Sequence, residues 1–139
     1  MTDTRDHTQV QGTLRLSLDA IQRILFIEAT GPFESDFGEK YHAQILPLRD
    51  ALKPISWGSL ALLKGGESLL NDSIRSFLIA SIKDARQLGL KVTALVLEPG
   101  SSDEVVQWWH SVYQETGLRY QIFEDRQQAL SFLTLNIQP

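Results

Sequence analysis

The run from Val92 to Leu97 is the feature that most constrains the fold. Its six residues carry no charge, and only Thr93 among them is polar. A continuous apolar stretch between Gly89 and Pro99 is typical of a strand that is buried on both faces. Such strands occur in parallel sheets whose two faces are covered by helices. The sequence therefore predicts an α/β protein with a largely parallel sheet.

The N-terminal part of the chain predicts a hairpin followed by a helix. Apolar and polar residues alternate over 14–18, as in a half-buried strand, and a second apolar run follows at 24–29. The two runs are close enough to pair as an antiparallel hairpin. From 33 to 52 the apolar residues take helical spacing, and Pro47 is expected to kink or break that helix.

The same patterns continue along the chain and give the order β-β-α-β-α-β-α-β-α. We expect a mixed, mostly parallel five-stranded sheet whose antiparallel part is the N-terminal hairpin. With 139 residues the chain has the size of one domain, which we place at residues 12–139. Residues 1–11 are polar and are expected to form a flexible N-terminal tail.

Composition narrows the classes of function. The chain has no cysteine, which excludes disulfides, thiolate nucleophiles and zinc–cysteine sites. Its net charge of −4 makes nucleic acid and anionic membranes poor partners, because such a surface repels phosphate groups. No window is apolar enough for a membrane span, and the polar start lacks the pattern of a secretory signal. We expect a cytoplasmic location.

No catalytic signature is present in the sequence. His7, His42 and His110 show no i, i+4 pairing, so no helical metal site is expected. There is no Gly-x-Ser-x-Gly elbow, and Gly65-Gly66 lacks the Lys-Ser/Thr pair of a phosphate loop. We therefore expect no enzyme activity, no metal and no cofactor. His110 has two interpretations, a boundary residue on its helix or a residue that faces a groove.

Two adjacent tryptophans, Trp108 and Trp109, fall within a predicted helix. Neighbouring helical side chains point about 100° apart, so both indoles can hardly enter one core. In one interpretation one indole covers the sheet while the other lines a groove or meets a partner, which includes a second copy of the chain in a homodimer. In the other interpretation both pack at the edge of the core.

Several short stretches carry a family resemblance. Residues 29–33 match a strand-to-helix turn, and residues 66–73 with the helix up to Gly89 match a loop and a second helix. Residues 116–118 and 123–130 match a closing strand and helix. Over nearly the whole chain this layout resembles the STAS-like fold of bacterial anti-sigma-factor antagonists, specifically the SpoIIAA-like group. The resemblance implies a non-enzymatic regulatory or protein-binding domain with a protein partner.

The resemblance also implies a phosphorylation site. The antagonists carry an Asp-Ser-Ser-Gly turn whose serine is phosphorylated by a partner kinase. Counted back from Gly89 without gaps, Ser73 falls on that serine, with Asn71 and Asp72 before it. A shift of one residue would instead place Asp72-Ser73 on the Asp-Ser pair and Ile74 on the acceptor position, which would abolish the switch. The family's glycine after the serine is missing in both registers. The switch would therefore be a degenerate one. Ser73 is either a phosphoacceptor on a partner-binding surface or only the cap of its helix.

An alternative function follows from the lipid-carrier fold to which this group is related. A small apolar or lipid ligand would lie between helices and sheet, under a lid formed by Phe33, Phe37 and Tyr41. These three residues, together with Trp108 and Trp109, are the candidate ligand or interface surface. The sequence leaves both functions open, partner binding and carriage of a ligand.

Overall fold

A computed structural model describes residues 12–33, 36–52 and 56–137. These residues form five strands, four α-helices and one short 3₁₀ helix, numbered here in chain order. The strands are β1 (Thr13–Asp19), β2 (Ile24–Thr30), β3 (Trp57–Lys64), β4 (Leu90–Leu97) and β5 (Arg119–Phe123). The α-helices are α1 (Phe37–Leu52), α2 (Asp72–Gln87), α3 (Asp103–Thr116) and α4 (Arg126–Ile137), and the 3₁₀ helix is Gly66–Leu69.

The sheet has the mixed topology that the sequence predicts. Its strand order is β1-β2-β3-β4-β5, with β1 antiparallel to β2 and every later pair parallel. Along β1 exposed and half-buried residues alternate, in agreement with the pattern at 14–18. Strand β4 is buried continuously from Val92 to Leu97, because both of its faces are covered. The α/β prediction and the predicted order of elements are confirmed.

The helices cover the two faces of the sheet unequally. Buried residues of α1, α2 and α3 join one face in the larger of two cores. Helix α4 covers the other face, where Ala129, Leu133 and Ile137 pack with Val92 and Ala94 of β4. Right-handed crossovers explain the arrangement, because strands added in sequence order place every connecting helix on the same side.

Helix α1 also covers the edge of the sheet with one side chain. The Gln44 amide nitrogen donates to the carbonyl oxygen of Leu14 at 2.8 Å, and its amide oxygen accepts from the N–H of Leu16 at 2.9 Å. Because β1 is an edge strand, these backbone groups point away from β2 and have no neighbouring strand to pair with. Gln44 thus satisfies polar groups that the sheet itself leaves open.

Helix α1 differs from expectation in two respects. It begins at Phe37, so Phe33 precedes the helix in a non-helical segment, where it is buried. It also continues through Pro47 to Leu52, so of the expected kink or break the break is not found. Proline removes one backbone donor, but buried Ile45 and Leu52 anchor the helix on either side of it.

Two remaining expectations concern membrane-spanning helices and the N-terminal residues. None of the helices in the described ranges is long and apolar enough to cross a membrane. The tail predicted at residues 1–11 lies outside the described residues.

Candidate functional site

Two sets of residues that the sequence singled out separately line one groove of about 920 Å³. Phe33 precedes α1 and Phe37 is its first residue, whereas Asn71, Asp72 and Ser73 lie at the start of α2. These helices follow β2 and β3, which are neighbouring parallel strands. The carboxyl ends of such strands meet at one edge of the sheet, so the first turns of both helices lie side by side.

Aromatic rings form the floor of the groove. The Phe37 ring meets Phe33 edge-on at 5.3 Å between centroids and Phe77 edge-on at 6.5 Å. Tyr41 packs edge-on against Phe77 at 5.9 Å but is not among the described residues that line the groove. Phe77 approaches α1 closely because residue 38 is glycine, where a Cβ would lie 3.2 Å from the ring. Phe77 lies within the helix that the sequence predicts before Gly89, and only the structure shows that it lines the groove.

The three polar residues at the start of α2 have different roles. Asn71 is the N-cap, with extended φ of −143° and ψ of 155°, and its Oδ1 accepts from the N–H of Ile74 at 2.8 Å. Asp72 occupies the first turn, where a negative charge suits the helix dipole. Ser73 follows it and is exposed. Asn71, not Ser73, is therefore the cap of α2, and the Ser73 hydroxyl faces solvent on the rim of the groove.

The rim of the groove carries negative charge. Glu39 in the first turn of α1 and Asp72 in the first turn of α2 both line it and are exposed. His42 lines it from the second turn of α1. No lysine or arginine occurs among the described residues of the lining. The groove thus combines an apolar floor with an acidic rim.

The two tryptophans of α3 lie at different depths. Trp109 is buried, with 6% of its surface exposed, whereas Trp108 is half-buried at the margin of the larger core. The indole of Trp109 stacks on Tyr113 at 5.6 Å and meets Trp108 edge-on at 5.1 Å. Neither tryptophan is among the described residues that line the groove.

Trp109 instead lines an internal cavity of about 80 Å³ between the sheet and helices α1 to α3. Phe37 and Tyr41 also line this cavity, so it lies where the ligand alternative places its site. Inside it the Ser59 hydroxyl donates to the hydroxyl oxygen of Thr93 at 2.7 Å. No charged side chain occurs among its described lining residues.

Two further residues of the cavity lining, Tyr113 and Trp109, each carry one polar group. Burial raises the pKa of Tyr113 well above its ordinary value, and a hydrogen bond with Thr93 acts in the opposite direction. Tyr113 is therefore neutral and can serve as a hydrogen-bonding group. The indole N–H of Trp109 has no hydrogen-bond partner among the described residues.

A third feature is a histidine–tyrosine pair that sequence reasoning missed. His110 Nδ1 lies 2.6 Å from the hydroxyl oxygen of Tyr120, and both line a groove of about 580 Å³ with Glu98 and Glu124. His110 comes from α3 and Tyr120 from β5, and no local pattern in the sequence links them. His110 is half-buried on its helix and also lines this groove, so both interpretations of it remain compatible with the structure. The Tyr120 contact occupies Nδ1 and leaves Nε2 as the nitrogen that a ligand could meet.

No cluster of three or more metal-ligating side chains occurs in the part of the chain that the structure describes. The site residues therefore offer aromatic surface, hydroxyls and an acidic rim rather than a metal centre. Comparisons of this chain with protein-family models, with curated proteins and with solved structures find no significant match.

Proposed function

We propose that the protein is a non-enzymatic regulatory domain that binds a protein partner in the groove between α1 and α2. The proposal depends on one observation: an aromatic floor and the exposed start of α2 line the same groove. Buried aromatic anchors surrounded by a polar rim are the usual anatomy of a protein-binding surface. The resemblance to the SpoIIAA-like antagonists supports the same surface, because their phosphoserine turn falls on Ser73.

The charge of the groove defines the chemistry of the partner. A helix N-terminus favours anions, because it carries about half a positive charge. Here Glu39 and Asp72 place a full negative charge on each of the two N-termini, so the rim is negative overall. A partner segment that combines lysine or arginine with an aromatic or aliphatic side chain would complement both rim and floor.

Ser73 gives this surface a means of regulation. Because Asn71 provides the cap bond, the Ser73 hydroxyl can be modified without removing that bond. A phosphate at Ser73 would add about two negative charges beside Asp72. Free N–H groups in the first turn tolerate an anion there, so the helix would persist. We expect phosphorylation to strengthen binding of a basic partner.

The proposal is tested with peptides selected from a random displayed library on the immobilised protein. We expect selected peptides to carry lysine or arginine next to an aromatic or aliphatic residue. The double variant Glu39→Lys/Asp72→Lys should bind them at least about tenfold more weakly, since two attractive charges become repulsive. The matched control Asp84→Lys/Glu104→Lys changes the net charge equally at exposed sites away from the groove and should keep their affinity.

Selected peptides that bind the groove variant as tightly as the wild type would overturn the proposal. Regulation is tested separately by incubating the protein with candidate kinases and mapping phosphate by mass spectrometry. Phosphate at Ser73 with a gain in peptide affinity supports the switch. Phosphate found only at other residues would contradict the proposed switch at Ser73. The peptide experiment would still test partner binding in the groove.

A further inference from the structure

The two edges of the sheet differ in how their outward backbone groups are satisfied. Strands β1 and β5 form these edges. On β1 the side chain of Gln44 bonds to the C=O of Leu14 and the N–H of Leu16. Among the described residues, no side chain bonds to the backbone of β5 in this way, and β4 is its one neighbouring strand. The outward edge of β5 is therefore open, and an open edge can accept a further strand.

The side chains of β5 leave this edge accessible. Arg119 and Gln121 are exposed, and the three other residues of the strand are half-buried. Arg119 is the one charged residue within the strand. Native proteins place charges on open edges, because like charges directly opposite each other destabilise a wrong pairing. The partner that fits β5 is therefore one that does not bring a second positive charge opposite Arg119.

The five side chains of β5 alternate between the two faces of the sheet. Tyr120 and Ile122 pack on the side of α3, against the larger core. Phe123 packs on the side of α4, against the smaller core, and the alternation places Arg119 and Gln121 on the same face as Phe123. Any strand that pairs with β5 must present side chains that suit both sets.

We propose that two copies of the chain associate through β5, with the strands antiparallel and Gln121 of one copy directly opposite Gln121 of the other. Such a contact has two-fold symmetry, the commonest symmetry of protein dimers, and it joins two five-stranded sheets into one. In antiparallel strands, directly opposed side chains lie on the same face. This register pairs all five residues of the strand, whereas a register centred on any other residue pairs fewer.

The sequence of β5 is complementary to itself in this register. On the α3 face Tyr120 meets Ile122 of the second copy, an aromatic–β-branched pair of the kind that stabilises sheets. On the α4 face Arg119 meets Phe123 of the second copy, where a guanidinium can lie over the ring. The two Gln121 side chains each carry donors and an acceptor, so they can bond to each other across the axis. Within β5 no charge meets a like charge, so Arg119 permits this pairing.

The dimer surface is separate from the partner groove. No residue of β5 is among the described residues that line that groove, which lies between α1 and α2. A dimer formed through β5 therefore does not use the residues that bind the partner, and it presents two partner grooves in one assembly. Partner binding and self-association can fail independently, and different residues test each of them.

Sedimentation equilibrium of the wild-type protein is the first test, and we expect a reversible monomer–dimer equilibrium. Gln121→Lys places two positive charges opposite each other on the axis and should weaken the dimer at least about tenfold. The matched control Thr13→Lys adds the same charge at an exposed position of β1 and should leave the dimer constant unchanged. A wild-type chain that stays monomeric up to about 1 mM would overturn the proposal, whatever the variants do. So would a wild-type dimer whose constant is the same in Gln121→Lys.

Cysteine cross-linking tests the register. The chain has no cysteine, so one introduced thiol reports the distance between one residue and its copy. In Gln121→Cys the two Cα atoms would lie about 4.5–5.5 Å apart, within the range for a disulfide, so mild oxidation should link the copies. In the control Arg119→Cys the two positions would lie about 13 Å apart along the strands and should not link. Dimers that link through residue 119 instead of residue 121, or through neither, would refute this pairing.

Discussion

Asn71 and Ser73 offer a direct test of how the start of α2 is built. In the structure only Asn71 holds the cap bond, from its Oδ1 to the N–H of Ile74 at 2.8 Å. Asn71→Ala removes this bond and leaves the N–H of Ile74 to water. Ser73→Ala removes an exposed hydroxyl that takes no part in the cap.

The expected magnitudes differ enough to be measured. Loss of an asparagine N-cap costs about 1 kcal/mol of unfolding free energy, within a range of about 0.5–2 kcal/mol. An exposed substitution without such a role changes stability by less than about 0.5 kcal/mol. For a domain of this size, 1 kcal/mol corresponds to a decrease in Tm of about 3–4 °C.

Urea denaturation followed by circular dichroism at pH 7 gives both values. Asn71→Asp serves as the matched control, because aspartate is an equally good cap and should retain the wild-type stability. If Ser73→Ala costs as much as Asn71→Ala, then Ser73 is the cap, and a role for its hydroxyl as a free phosphoacceptor loses its structural support.

Three further predictions concern packing and ionisation. Gly58→Ala should lower the free energy of unfolding by about 1–3 kcal/mol in urea denaturation, because its Cβ would lie 2.9 Å from Ile137 side-chain atoms. Adding Ile137→Val to this variant should recover part of the loss. Full additivity of the two changes would contradict the contact. The hydrogen bond from Arg15 lowers the pKa of Glu28 below its ordinary value of 4.5. Glu28→Gln should therefore lower the free energy of unfolding at pH 7, and this difference from the wild type should vanish as the pH falls through the lowered pKa. A difference that persists in acid would argue against the ion pair. Burial raises the pKa of Tyr113, so this tyrosine ionises in the unfolded chain before it does in the folded one. The free energy of unfolding should therefore fall as the pH rises above about 10, and it should fall less in Tyr113→Phe. Equal slopes for the variant and the wild type from about pH 9 to 11 would refute this.

The sequence predicts the fold well where the residues of a segment are compatible with only one kind of local structure. The uncharged run at 92–97 is buried as a central strand. Gly89 and Gly117 follow α2 and α3 with φ of 112° and 71°, a left-handed conformation that glycine adopts without strain. Periods of two and 3.6 residues decide element type locally, so the order of strands and helices could be read directly.

Prediction is weaker where neighbouring residues are equivalent in local chemistry. Asn71, Asp72 and Ser73 are all good caps, and the sequence could not choose among them. The same holds for α3, where Ser101 and Ser102 are equally good caps by residue type and Ser102 holds the bond, with its hydroxyl oxygen 3.2 Å from the N–H of Val105. A shift of one residue changes which hydroxyl remains free, and at α2 that decides which group a kinase could reach.

The candidate sites depend on contacts between distant elements, which no local pattern contains. The groove forms because β2 and β3 are neighbours, which brings Phe33 and Phe77 to one surface. The pair of His110 and Tyr120 needs α3 to lie over β5. The unpaired N–H of Trp109 depends on the packing around a single atom. Sequence analysis could name several of these residues, but not their partners.

The bonds from Gln44 to strand β1 have a consequence for association between copies of the chain. An exposed strand edge can recruit a foreign strand through its unpaired N–H and C=O groups. Here the outward C=O of Leu14 and the outward N–H of Leu16 are already held by a helix of the same molecule. A second molecule would have to displace that amide before it could extend the sheet on this side. Extension of the sheet by a second copy is thereby disfavoured at β1, which leaves β5 as the other edge of the sheet.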